Sequence, residues 1–175
     1  MPGEKDDYHT GCLCATLDAA SAMGCRGVVV HVGKSTTQDL KVALENMKTN
    51  VRRSLESATP ECPLLLETPA GQGTETLKTY EEFVGFVKEI NDPRLKICVD
   101  TCHVFACGHS PLEYIERMLK EDPGLLKLIH FNDSLGECGS CVDRHAGIGL
   151  GKVGIAALAK IAEIGYRAGV PCVIE

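Results

Sequence analysis

Five short apolar runs in this chain each stop at a residue able to bind a metal. They are GVVVH ending at His31, PLLLE at Glu67, KICVD at Asp100, LKLIH at His130 and PCVIE at Glu175. Each run is apolar on consecutive positions, the mark of a strand buried on both faces. The intervals between them have room for a loop, a helix and a turn. Helical spacing of apolar residues predicts helices near 10–23, 38–57, 79–90 and 152–168, with Gly24 and Gly169 as stops. SPLE at Ser110–Glu113 predicts a further helix start, with Ser as N-cap, Pro at the first position and Glu closing a capping box. Strands alternating with helices predict parallel β/α units in one α/β domain over residues 1–175, with functional groups at the C-terminal strand ends.

A single histidine at a strand end is commonly a hydrogen-bonded core residue, and a single carboxylate there is commonly a helix cap. Five strands in succession ending in His, Glu, Asp, His and Glu fit that reading poorly. One rim would then hold five polar groups with nothing to neutralise them. Metal ions shared among them resolve the conflict. CVDTCH adds His103 three residues after Asp100, and VDRHAGIGLGKVG adds Asp143 and His145 in a D-x-H arrangement. The glycines that follow, at 147, 149, 151 and 154, allow backbone to approach a ligand closely. Eight candidates (His31, Glu67, Asp100, His103, His130, Asp143, His145 and Glu175) exceed the needs of one ion and predict a multinuclear site. The mixed nitrogen and oxygen donors suit zinc, or manganese where carboxylates dominate. Multinuclear zinc sites mostly hydrolyse phosphoesters.

Composition changes this picture little. Hydrophobic residues make up 44% and charged residues 24%, as in ordinary globular domains. No apolar run approaches the ~20 residues of a membrane span, and the polar start MPGEKDDYHTG has no secretory signal, so the expected location is intracellular, cytoplasm or nucleus. The net charge of −6 weighs against DNA binding, but three divalent cations would supply about six positive charges and remove the objection. Ten cysteines are many; CGSC at Cys138–Cys141 has the spacing of a zinc or redox pair but lacks a second CxxC. Lys48, Arg52 and Arg53 read as a solvated helix face, and Tyr80, Phe83 and Phe86 as helix packing. Gln72 either shapes its loop or touches the site, His109 is expected in solvent, and Asn132 and Asp133 are expected to orient His130.

LETPAGQG, CVDTCHVFACG, HFNDS and GSCVDRHAGIGLGKVG, in this order, resemble the signature segments of endonuclease IV-type apurinic/apyrimidinic endonucleases. VVVHVG and the closing VIE fit the same series. The resemblance implies a xylose isomerase-like TIM barrel with three zinc ions that nicks double-stranded DNA 5′ to abasic sites in base excision repair. It implies His31 and Glu67 on the first zinc, and Glu67, Asp100, His130 and Glu175 around the second. It implies His103, Asp143 and His145 on the third. Glu67 and Glu175 are then the catalytic carboxylates, and a metal-bridging hydroxide attacks the phosphorus. Arg144 is a candidate contact to the DNA backbone. Only the last five of eight β/α units find a counterpart here, so the resemblance implies an incomplete barrel. An open sheet edge of that kind favours oligomerisation. Two other readings stand beside this one. A sugar isomerase or epimerase would hold ions at strand ends without needing the D-x-H loop, and an inactive remnant would keep the motifs without a complete site.

Overall fold

A computed structural model describes residues 4–175; Met1–Gly3, the start of the polar N-terminal segment, lie outside the described residues. The elements run α1 (Glu4–Ala22), β1 (Val28–His31), α2 (Leu40–Ser54), β2 (Leu64–Glu67), α3 (Tyr80–Ile90), β3 (Leu95–Asp100), α4 (Thr101–Ala106) and α5 (Pro111–Glu121). They continue with β4 (Leu126–His130), β5 (Asp133–Ser134), β6 (His145–Ala146), α6 (Ile155–Ala168) and β7 (Cys172–Val173). Strands β1, β2, β3, β4 and β7 form one parallel sheet in that order. This is the expected α/β arrangement, with successive strands adjacent and helices between them.

Local chemistry explains the boundaries. Asp39 caps α2 by accepting the amides of Lys41 and Val42 at 2.9 and 3.3 Å. The reciprocal capping box occurs at α3, where Thr79 and Glu82 each accept the other's amide. Ser110 and Pro111 start α5 as predicted, with the Ser110 hydroxyl accepting the Glu113 amide. Gly169, at a φ of 67°, stops α6.

Register sorts the sheet into two faces. Val30, Leu66 and Ile97 are aligned neighbours, as are Leu64 and Leu95. These side chains lie with the helices in the buried core, together with Val99, Ile129, Phe83, Ile115 and Ile161. Each such side chain contributes about 1.5–3 kcal/mol by leaving water. The alternate positions form the other face, where His31 is aligned with Glu67 and Asp100 with His130. Glu67 and Asp100 are almost fully buried there, at 2% and 0% exposure. Nothing in hydrophobic burial favours carboxylates at those depths; they need partners.

Three expectations are corrected. The first helix begins at Glu4, not near residue 10. β7 pairs only through Cys172 and Val173, so Glu175 lies two residues beyond the strand instead of ending it. Lys48 is not solvated: it is 6% exposed, with its ammonium 2.8 Å from Glu45 and 2.7 Å from Glu89 of α3. Tyr80, Phe83 and Phe86 are buried as helix packing, as expected.

Candidate metal centre

The functional side chains meet at the C-terminal rim of the sheet. His31, Glu67, Asp100 and His130 arrive on the ends of β1 to β4. His103 sits in the first turn of α4, which Asp100 caps by accepting the His103 amide at 2.9 Å. Asp143 and His145 come from a segment that folds back as a short antiparallel hairpin, β6 pairing with β5, with Ser134 opposite His145. That hairpin places His145 Nε2 3.6 Å from Asp100 and 3.5 Å from Asp143. All eight sequence candidates are therefore brought together.

Their donor atoms fall into overlapping groups in which every atom lies within 4.8 Å of the others. One group is Glu67, Asp100, His130 and Glu175; another is His103, Asp143 and His145. A third joins His31 and Glu67 with His103. A fourth, Asp100, Cys102 and His145, brings in a thiol. Burial pushes the Cys102 thiol up to about 11, and it donates to the Arg144 carbonyl at 3.6 Å.

Hydrogen bonds fix which nitrogen each histidine offers. His103 Nδ1 lies 2.9 Å from the Thr68 carbonyl, which can only accept, so Nδ1 carries the proton. Nε2 is left free, 3.3 Å from Asp143. This assigns His103 to the group with Asp143 and His145, although Glu67 is also near its ring. His130 presents Nδ1 instead, 2.9 Å from Glu67 and 3.0 Å from Glu175. His31 Nε2 lies 3.4 Å from Glu67, with its side chain 62% exposed.

Electrostatics mark the cluster as a cation site. Burial pushes the Asp100 carboxyl above its ordinary value. Burial also raises Glu67, but the hydrogen bond from His130 and the three surrounding histidines outweigh it and hold Glu67 below the usual range. Burial opposes protonation of His103 and His130, yet the carboxylates around them raise both. Four carboxylates and four histidines thus compete for few protons at one rim. Divalent cations fit this donor set, by charge and by ligand type.

The supporting residues differ from expectation. Asn132 does not orient His130. Its amide donates to Asp100 at 2.7 Å, and its carbonyl accepts the Glu175 amide at 3.1 Å. Asp133 serves the glycine loop: its carboxylate accepts the amides of Gly149, Gly151, Val153 and Gly154 within 3.4 Å. The glycines wrap a buried aspartate, where the sequence suggested approach to a ligand. Gly151 is required there, because a Cβ would sit 2.5 Å from Asp133 Oδ1. Gln72 shapes the loop, accepting the Asp143 amide at 3.3 Å. His109 is half-buried, where solvent was expected: its Nε2 lies 3.3 Å from the Lys78 carbonyl and its ring beside Tyr114. Arg144 is exposed, and its guanidinium folds back onto the Asp143 carbonyl. Thr68 and Thr101 gave no sequence signal. Thr68 holds both His103 and the Asp100 amide, and Thr101 bonds the His130 carbonyl at 3.2 Å. Among the described residues, no helix is long and apolar enough to cross a membrane.

Known proteins agree with this geometry. A sequence model of the xylose isomerase-like TIM barrel family matches residues 1–175. A "probable endonuclease 4" of Mesomycoplasma hyopneumoniae is 35% identical over 176 residues, covering 98% of this chain and 63% of its own. One from Symbiobacterium thermophilum is 36% identical over 165 residues, covering 91% of this chain and 60% of its own. The crystal structure of endonuclease IV from Thermus thermophilus superposes on all of this chain and 64% of its own, with a TM-score of 0.84 and 27% identity. The chain thus spans somewhat under two thirds of the relatives it matches, as a partial barrel of five parallel strands would. With its sheet order, its rim of ligands and its full-length match, this chain belongs to the xylose isomerase-like TIM barrel family.

Proposed function

We propose that this chain carries the metal centre of a zinc-dependent DNA repair endonuclease that hydrolyses the phosphodiester 5′ to abasic sites. The observation that carries this reading is a pair of donor groups with no member in common. Glu67, Asp100, His130 and Glu175 form one, and His103, Asp143 and His145 the other. Proton transfer on a sugar needs one or two ions at strand ends; the D-x-H hairpin adds a further group suited to a phosphate flanked by several cations. The relatives named endonuclease 4 support the same choice.

Zinc bound here would supply Lewis acidity and offset the charge that develops on the phosphate oxygens. The chain's own residues do the rest. Buried Glu67 lies between His31 and His130 and would hold metal with both. Asn132 holds Asp100 and the Glu175 backbone in register, so the two carboxylates face the same volume. Glu175 is 45% exposed at its mouth and is placed to take a proton from an entering water. Arg144, on the outer side of the hairpin, would meet the DNA backbone.

A second reading has its own support. His31 is largely exposed, and His103 Nδ1 is committed to Thr68, so the group of His31, Glu67 and His103 has two firm donors, His31 and Glu67. On that reading the chain binds metal without cutting. End-labelled duplexes separate the two. With zinc, the active reading expects a cut 5′ to a single abasic site and none in the intact duplex. Metal binding without any cut supports the inactive reading.

A further inference from the structure

Two cysteines converge on one glycine beside the metal centre. Gly71 has a φ of +80°, and a side chain there would lie 3.0 Å from the Cys107 sulfur and 3.1 Å from the Cys141 sulfur. Both thiols therefore occupy the small space that the missing side chain leaves. Their backbones are tied as well: the Cys141 amide donates to the Ala106 carbonyl at 2.9 Å, and the Gly139 amide to the Phe105 carbonyl at 3.1 Å. Disulfides need such neighbouring backbones and converging side chains. Both cysteines are partly accessible and neither is bonded to another.

We propose that Cys107 and Cys141 are an oxidative modification site, closing to a disulfide when the chain meets hydrogen peroxide. Cys141 attacks the peroxide, an oxygen is transferred to its sulfur and one water leaves. The Cys107 sulfur then attacks that sulfenic sulfur; the S–S bond forms, and the Cys107 proton leaves with the hydroxyl as a second water. The dithiol is oxidised by two electrons and the peroxide is reduced by two. Cys107 is the resolving partner because its thiol is held by the Pro69 carbonyl, to which it donates at 3.1 Å. The CxxC spacing in the sequence suggested Cys138 as the partner of Cys141, but Cys138 is exposed, whereas the Cys141 sulfur shares the Gly71 space with Cys107. The bond would join the end of α4, which carries His103, to the loop that carries Asp143. In a reducing compartment it would be transient.

The test is peptide mapping of the intact chain after hydrogen peroxide, with free thiols then alkylated. Most chains are expected to carry a Cys107–Cys141 cross-link. Cys138→Ser should keep it, and Cys107→Ser should abolish it and leave Cys141 trapped by dimedone as the sulfenic acid. A Cys138–Cys141 link overturns the proposal. So does finding Cys107 and Cys141 both alkylated at a peroxide concentration that oxidises the exposed Cys12 and Cys25.

Discussion

The Thr68 carbonyl lies 2.9 Å from His103 Nδ1, and this contact decides which nitrogen faces Asp143. A carbonyl has no proton to give, so the imidazole must be protonated at Nδ1. Thr68 follows Glu67 directly, so a residue shared by two donor groups is covalently joined to the one that orients His103. One strand end thereby sets two clusters.

Nitrogen-resolved NMR of the histidine rings checks this. On zinc addition, His103 Nε2 is expected to shift while Nδ1 keeps its proton. A shift at Nδ1 would move His103 into the group with His31 and Glu67.

Removing the Asn132 side chain should injure the site through Asp100 and Glu175. Asn132→Ala is expected to weaken zinc binding about 10–100-fold, as the loss of groups that orient ligands does. It should also cost about 1–3 kcal/mol of stability by taking the amide donor from Asp100 Oδ2. Zinc competition against a chromophoric chelator and a thermal melt read the two effects separately. Unchanged affinity would show that Asn132 only packs.

Asp133→Ala should loosen the hairpin, not the sheet. Four loop amides and the Ser134 amide lose their acceptor together. Several kcal/mol are at stake, from about 1–3 kcal/mol per unsatisfied buried group. Gly151→Ala should act alike, since its Cβ meets the same carboxylate. Limited proteolysis within 136–154 is expected to speed up at least tenfold in both variants, with the sheet's far-ultraviolet signal retained.

The pH dependence has opposite signs with and without metal. His103 and His130 are raised above the ordinary value of about 6.5 by the carboxylates around them. Their contribution is fully present below that value and is lost as pH rises through the raised ones. Asp100, raised by burial, acts in the same direction, while the lowered Glu67 loses its contribution only in acid. As pH rises from about 6.5 into the mildly alkaline range the metal-free Tm should therefore fall. Zinc needs neutral imidazoles and so binds more tightly as pH rises, widening the gap between loaded and free chains. A gap that narrows across this window contradicts the ligand assignment.

The five ligand-bearing segments were legible because strand ends are a local signal: an apolar run, then one polar residue. Their meeting was legible because parallel β/α units place those ends on one rim. The hairpin that delivers His145 was not. Its strands are two residues each and owe their form to Asp133, which gathers amides from far along the chain. Lys48 was misread for a related reason, since its partner Glu89 belongs to another helix. Asn132 was recognised as supporting the site but assigned to its neighbour in sequence, His130, when it serves Asp100 and Glu175. In each case the deciding contact is long-range and polar, and apolar periodicity carries no record of it.

Native mass spectrometry of the zinc-titrated chain, beside His145→Ala, tests the central claim that this rim is a multinuclear metal centre. At least two tightly held zinc ions are expected, with one fewer in the variant and the chain still folded. A single ion, unaffected by His145→Ala, would contradict it.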